Sequence, residues 1–397
     1  MQDWARVRRL VSVLWAVSLI LQPTTAIGQE DPVSFSSVVA RGSSATPSSI
    51  DQRSIMGARR FSEALHPDSP SRMRLAFTGD TLIHNSVTAA ARRDEGFDFR
   101  PMFAPVRHLI GGADLAICHL EVPLSPSSSD LSSYPLFNAP AEVADALEWA
   151  GYDGCSTASN HSYDRGANGV LGTLGELDRA GLAQAGMAGR ISKWWQPTYY
   201  QVGDLTIGHV AATYWLNGLR LPADREWLVQ LLDIDQVLAI ANRAKAGGAD
   251  LVVVSMHCCT EYRRAPTPLQ VEMSHRLIES PNVDLVVTHH SHMVGPVERV
   301  GDEFILHGLG NFLSGQIQSP SLQDGVIAFA SAVESGGEWR FDSVEVVPTH
   351  VVRGSYRIEV SQGASHERTM EALAEMGERM TVFRSPVLSQ EPLRLID

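Results

Sequence analysis

The strongest constraint on this chain is a positional regularity. Side chains of the types that ligate metals recur just past the ends of short apolar runs that read as strands. Residues 73–77 run into Thr78-Gly79-Asp80, and residues 114–118 into His119 and Glu121. Residues 153–158 lead to Asn160 and His161, residues 251–256 to His257, and residues 284–288 to His289, His290 and His292. Between these runs lie segments with helical periodicity at 101–110, 141–150, 167–180, 234–246 and 267–279. Strands alternating with helices predict a layered α/β fold. In open sheets of that kind ligands gather outside the carboxyl ends of the strands. Asp, Glu, Asn and His converging there make a donor set for one or two divalent ions. Mn, Fe or Zn suits such a mixture of oxygen and imidazole nitrogen.

Taken singly, each piece has an ordinary structural explanation. Gly-Asp after a strand is a common turn, and Asn160 is a turn former as well. Glu121 could be a loop acid before Pro123, and His257 a satisfied core histidine. The cluster from His289 to His292 is harder to explain in that way, because buried imidazoles are costly without partners or a metal. His84 lies one helical turn past Asp80 and is ambiguous. His66, His108, His209, His275, His307 and His350 have no metal-like neighbours in sequence, and Trp194-Trp195 reads as packing.

Composition narrows the partners. With 44% hydrophobic and 19% charged residues the chain has the balance of a globular protein. The 32 basic and 45 acidic residues leave a formal charge of −13. An acidic surface disfavours nucleic acid and anionic lipid, while a local metal site can still attract an anionic substrate. Arg6, Arg8 and Arg9, the apolar run 10–21 and the small residues Ala26 and Gly28 predict a signal peptide over 1–28 and an exported protein. Periplasmic or extracellular placement follows, with an uncleaved membrane anchor as the alternative. Residues 29–72 are Ser- and Pro-rich and read as a linker. The main domain is expected over 73–350, and a charged helix with a tail over 351–397. Of four cysteines, Cys118 and Cys155 fall in apolar runs and read as small buried hydrophobes. Cys258 and Cys259 form a vicinal pair beside His257.

Seven blocks occur in a fixed order: FTGDTLIH, CHLEVPL, YPLFNAP, ASNHSYDRG, SMHCCTEY, VTHHSHMVGPVE and GLGNFL. In that order they resemble the CapA family of poly-γ-glutamate capsule biosynthesis proteins, within the calcineurin-like metallophosphoesterase superfamily. The resemblance covers residues 73–318. It implies a four-layered α/β/β/α sandwich. It implies Asp80 and His292 on one metal, Asn160, His257 and His290 on a second, and Glu121 bridging them. His161 would be the acid for the leaving group, Asp164 would orient it, and Asn311 would hold the site loop. A hydrolase follows, in which a metal-held hydroxide attacks an ester or amide. Its substrate would be an anionic polymer or a small molecule, and capsule-assembly membrane proteins would be partners. The alternative is a non-catalytic accessory role in assembly or export of the polymer. The chain departs from the family pattern in four places: His119 stands for Asn, Leu82 for a histidine ligand, Cys258-Cys259 for Trp-Gly, and Ser291 for Pro.

Overall fold

The computed structural model describes residues 71–127 and 130–374. The expected signal peptide, nearly all of the linker, His66 and the tail beyond residue 374 lie outside them. The first half supplies β1 (Arg72–Leu82), β2 (Leu115–Leu120), β3 (Leu124–Ser125), β4 (Ala139–Pro140), β5 (Gly154–Ser156) and β6 (Ala183–Ala185). The second half supplies β7 (Thr198–Val202), β8 (Leu205–Thr213), β9 (Leu251–His257), β10 (Leu285–His289), β11 (Val297–Val300) and β12 (Glu303–Leu306). It continues with β13 (Asn311–Ser314), β14 (Asp324–Ser335), β15 (Glu338–Val351) and β16 (Ile358–Val360). The main helices are α1 (Asn85–Ala91), α2 (Arg100–Phe103), α3 (Arg107–Ile110), α4 (Glu142–Ala150) and α5 (Gly166–Arg179). They are followed by α6 (Ile234–Ala246), α7 (Pro268–Ile278) and α8 (Gly363–Leu373).

Two sheets stack. The first has the order β16-β15-β14-β1-β2-β5-β6, with β13 also pairing β1, and the second has the order β11-β12-β10-β9-β8-β7. The alternation of side chains along each strand explains the layers. Leu75, Phe77, Leu115 and Ile117 from the first sheet share a buried cluster with Ile207, Val253, Val287 and Phe304 from the second. The intervening residues face outward. Ala76, Ala116 and Cys118 pack with Val87, Val143 and Leu147 of α1 and α4. Val252, Val254 and Val286 pack with Val237, Ile240, Ala241 and Leu277 of α6 and α7. Strands buried on both faces read as continuous apolar runs, which is why LVVVSM carries no polar alternation. The result is the four-layered α/β/β/α sandwich.

Local signals place several boundaries. Asp233 caps α6 by accepting the Gln236 N–H, and Thr267 caps α7 by accepting the Gln270 N–H, with Pro268 following. Gly336 and Gly337, both with positive φ, turn β14 into β15. The helix expected over 101–110 is two short pieces, α2 and α3. Pro105 lies between them, and its ring and missing N–H prevent continuous helical bonding. The charged helix expected within 351–397 is described from Gly363 to Leu373. Cys118 and Cys155 are buried, as small hydrophobes would be, but they are also disulfide-bonded across directly paired positions of β2 and β5. Cys258 and Cys259 are bonded to each other. Among the described residues no helix is long and apolar enough to cross a membrane.

His209 on β8 is wholly buried. Its Nε2 meets Ser255 Oγ at 2.9 Å, and Nδ1 has no partner. Burial pushes its pKa down to about 3. A histidine whose folded pKa is depressed leaves stability intact above the unfolded value, about 6.5. It removes stability as pH falls from there toward the folded value. His209→Gln, which does not titrate, should therefore lose less stability on acidification. Between pH 6.5 and 5 the difference from wild type should approach about 2 kcal/mol in denaturant unfolding. Parallel pH profiles for the two proteins would contradict this account of His209.

Candidate metal centre

The site lies where the carboxyl ends of both sheets meet. Asp80 is inside β1, not beyond it, because β1 continues to Leu82 through a register shift at Asp80/Thr81. Gly79 permits this course: a Cβ there would run into the carbonyls of Leu309 and Gly310. Glu121 directly follows β2, His257 ends β9 and His289 ends β10. Asn160 and His161 stand in the turns between β5 and α5. The first sheet thus contributes Asp80, Glu121, Asn160 and His161, and the second contributes His257, His290 and His292.

The decisive feature is Glu121. It is wholly buried, and neither carboxylate oxygen has a hydrogen-bond partner. His292 Nε2 is 3.8 Å from its Oε1, and His257 Nε2 is 4.0 Å away. Burial lifts the Glu121 carboxyl well above its ordinary range, His292 opposes that shift, and Asp80 adds to it. Asp80 Oδ2 lies 2.9 Å from His292 Nδ1, and Oδ1 lies 3.2 Å from His289 Nδ1. Burial alone would raise Asp80, but these two imidazoles hold it well below the usual carboxylate range. His292 is ringed by Asp80, Glu121 and Glu261, the last at 3.5 Å. Burial acts to lower its pKa, and those carboxylates carry it well above its ordinary value. His257 is pushed the other way, first by burial and then by His290 and His119, and is held neutral.

On the other side, His257 Nε2 lies 2.9 Å from Asn160 Oδ1. His290 brings its ring to 4.7 Å from that of His257, and its buried Nδ1 has no partner. Glu121, His290 and His292 can turn one ligand atom each into a common space, with all three atoms within 4.8 Å of one another. Asp80, His119 and His289 meet the same criterion. Both nitrogens of His119 are already engaged, however, so geometry favours the first group over the second as ligands. A buried carboxylate without hydrogen bonds, unpartnered imidazole nitrogen and an amide oxygen form a donor set that fits a divalent cation.

His161 stands beside this cluster. Its Nδ1 meets Asp164 Oδ2 at 2.7 Å, and the same oxygen accepts the Phe137 N–H at 2.7 Å. Phe137 packs edge-on against the His161 ring at 4.6 Å. Asn311 pairs with Asp80 across β13 and β1, and its Nδ2 donates to Gln316 Oε1 and the Leu322 carbonyl. Leu82 is buried in the outer core, so it offers nothing to an ion. His84 is in neither cluster; its Nδ1 accepts the Gly315 N–H at 3.1 Å. Four of the six non-glycine residues with positive φ among the described residues lie here: Asn217, Tyr262, His290 and His292. Such backbone strain persists where surrounding structure over-determines it, commonly at functional sites.

Two participants are not singled out by the sequence, and a third, His289, reads there as part of the histidine cluster without a role of its own. Glu261 faces His292, and the acid position of the SMHCCTEY block was its only signal. Asn217 approaches both Asn160 and His161 from a loop after β8 with no motif of its own. His289 contacts Asp80 and stacks on His119 at 4.0 Å.

The profile of the family described as bacterial capsule synthesis protein PGA_cap matches residues 74–316, a span that contains every residue of this site. The chain belongs to this family. The capsule biosynthesis protein CapA of Bacillus anthracis is 24% identical over 254 residues, which are 62% of this chain and 60% of that protein. The PGA biosynthesis protein CapA of Bacillus subtilis is 28% identical over 198 residues, 49% of this chain and 50% of that protein. The chain therefore spans 60% and 50% of the lengths of these CapA relatives. A probable polyglutamine synthesis accessory protein of Mycobacterium tuberculosis is 28% identical over 176 residues, 40% of this chain and 44% of that one. A calcineurin-like phosphoesterase of Bacillus subtilis superposes with a TM-score of 0.42 at 10% identity, over 78% of this chain and 98% of that one.

The isolated Glu121 carboxyl predicts an asymmetric response to metal. In chelator, Glu121→Gln should unfold at the wild-type temperature or roughly 2–4 °C above it, since a chargeable group without partners is removed. Added Mn²⁺ should stabilise the wild type by about 2.7 kcal/mol at a hundredfold excess over its dissociation constant. The variant should gain little. Thermal scans with and without metal read both effects, and equal gains in the two proteins would remove Glu121 from the ligand set.

Proposed function

We propose that this CapA-family chain is an exported, metal-dependent hydrolase that acts on an ester or amide in the making of an anionic, polyglutamate-type capsule. The observation that carries the reading is the unpaired Glu121 carboxylate between two imidazole clusters, beside a histidine held by its own carboxylate. Asp80 and His292 would hold one ion and Asn160, His257 and His290 a second, with Glu121 between them. Mn, Fe or Zn suits these donors. A bound divalent ion supplies Lewis acidity and brings the ionisation of a water into the neutral range.

The remaining work falls to His161. Asp164 takes its Nδ1–H, which fixes the ring and leaves Nε2 to hold or deliver a proton. The Phe137 N–H and the edge contact with the Phe137 ring keep the pair from turning. Nε2 would place its proton on the departing oxygen or nitrogen. Asp80 and Glu261 already occupy the positive charge of His292, so an anionic substrate would bind better once a cation has entered. The substrate is an anionic polymer or a small molecule, and membrane proteins of capsule assembly are the natural partners of an exported member of this family.

A second reading is an accessory protein without turnover. It is favoured by Leu82, which stands where a histidine ligand is expected, and by the accessory role in the printed name of the Mycobacterium tuberculosis relatives. The two readings separate on one comparison. His161→Ala should keep the metal content of the wild type by elemental analysis and lose about 10²–10⁴ in turnover of an aryl phosphodiester or of poly-γ-glutamate. Wild-type protein that holds metal and turns over neither substrate would favour the accessory role. Loss of metal in His161→Ala would withdraw its assignment as the acid.

A further inference from the structure

His119 replaces the asparagine of the family pattern, and its surroundings are unusually well defined. It is wholly buried on β2. Its Nδ1 lies 2.7 Å from Ser156 Oγ, and its Nε2 lies 2.9 Å from His257 Nδ1. The other nitrogen of His257, Nε2, lies 2.9 Å from Asn160 Oδ1. Asn160 Nδ2 donates to Asn217 Oδ1 at 3.2 Å, which turns Oδ1 toward His257. Ser156 Oγ also lies 3.4 Å from the Cys118 carbonyl. Four side chains thus form one line: Asn160, His257, His119, Ser156.

A neutral imidazole carries one N–H and one lone pair, so every hydrogen bond in such a line must run the same way. Without a cation Asn160 Oδ1 can only accept. The Ser156 hydroxyl then donates to His119 Nδ1, His119 Nε2–H donates to His257 Nδ1, and His257 Nε2–H donates to Asn160. With a cation, His257 Nε2 and Asn160 Oδ1 must both present lone pairs to it. The line then has to reverse. His257 Nδ1–H donates to His119 Nε2, His119 Nδ1–H donates to Ser156 Oγ, and the hydroxyl turns to the Cys118 carbonyl. Three hydrogens are re-seated and none is gained or lost.

We infer that His119 is a positioning residue that sets the tautomer of His257, and that loading the site reverses the whole Ser156–His119–His257 line. The inference rests on His257 being a ligand, as proposed above. It also says why a histidine can stand at 119: like an amide, it offers a donor or an acceptor to His257 as needed. Partners behind a ligating histidine commonly govern affinity by about 10–100-fold.

The test uses full-length protein with ¹⁵N-labelled histidine, free and loaded with Zn²⁺, and His119→Asn supplies the resonance assignment. In the free protein His119 and His257 should each be protonated at Nε2, and in the zinc form at Nδ1. By competition titration His119→Leu should bind Zn²⁺ about 10–100-fold more weakly, and His119→Asn should recover most of that loss. The inference is overturned if His119 keeps its Nε2 proton in the zinc form, if a His119 nitrogen is itself bound to zinc, or if His119→Leu binds as tightly as wild type. The NMR comparison on wild type stands even where His119→Leu fails to fold. Zinc binding with an unmoved His119 would sink this inference alone, whereas absence of any zinc binding would take the metal-site reading with it.

Discussion

A carboxylate with no hydrogen bonds, sunk where two sheets meet, sets the terms for the rest of this site. Leaving such a group uncompensated in a protein interior is expensive. The chain nevertheless builds Glu121 into a fully buried position and surrounds it with Asp80, His257 and His292. The left-handed backbone at His290 and His292 adds further strain. These costs make sense together as preparation for a cation that replaces several unfavourable contacts at once. The direction of the charge shifts agrees: Glu121 moves toward its neutral form and His292 toward its charged form, so that in the free protein the histidine stands in for positive charge.

Much of this is legible in the sequence. The apolar runs before Asp80, Glu121, His257 and His289 gave away both the strands and the end of the sheets at which chemistry sits. The reason is physical: strands covered on both faces hold few polar residues in their middles, so polar residues collect at their ends. Harder to read were features that depend on approach in space. Asn217 reaches the site from a loop whose sequence has no periodicity, and Glu261 is an acid among exposed loop residues. The Cys118–Cys155 bond needs the knowledge that β2 and β5 are neighbours in register, which neither apolar run discloses. Periodicity alone extends the 101–110 helix through Pro105, where the missing N–H splits it into α2 and α3.

The part of the chain that matches the family ends at residue 316, before β14 begins. Yet β14 pairs with β1 from Arg72 to Thr78, and the outer strands and α8 build on β14 and β15. The strand that carries Asp80 is therefore held along one edge by elements beyond the matched segment. Asp324, at the start of β14, binds His350 and also Ser365 and Arg368 of α8, which ties that helix back to the same sheet.

The donors are divided between the two sheets, and the apolar layer between the sheets sets how closely the sheets approach. Leu75, Phe77, Ile117, Val253 and Val287 carry no donor atoms, yet their volumes bear on the gauge of the centre. A methyl group gained or lost there acts directly on the spacing of the sheets, and so on that of Glu121 from His257, whereas the same change under α4 or α6 falls outside the pair of sheets. Divergence within this fold should therefore be slowest in a layer with no chemistry of its own.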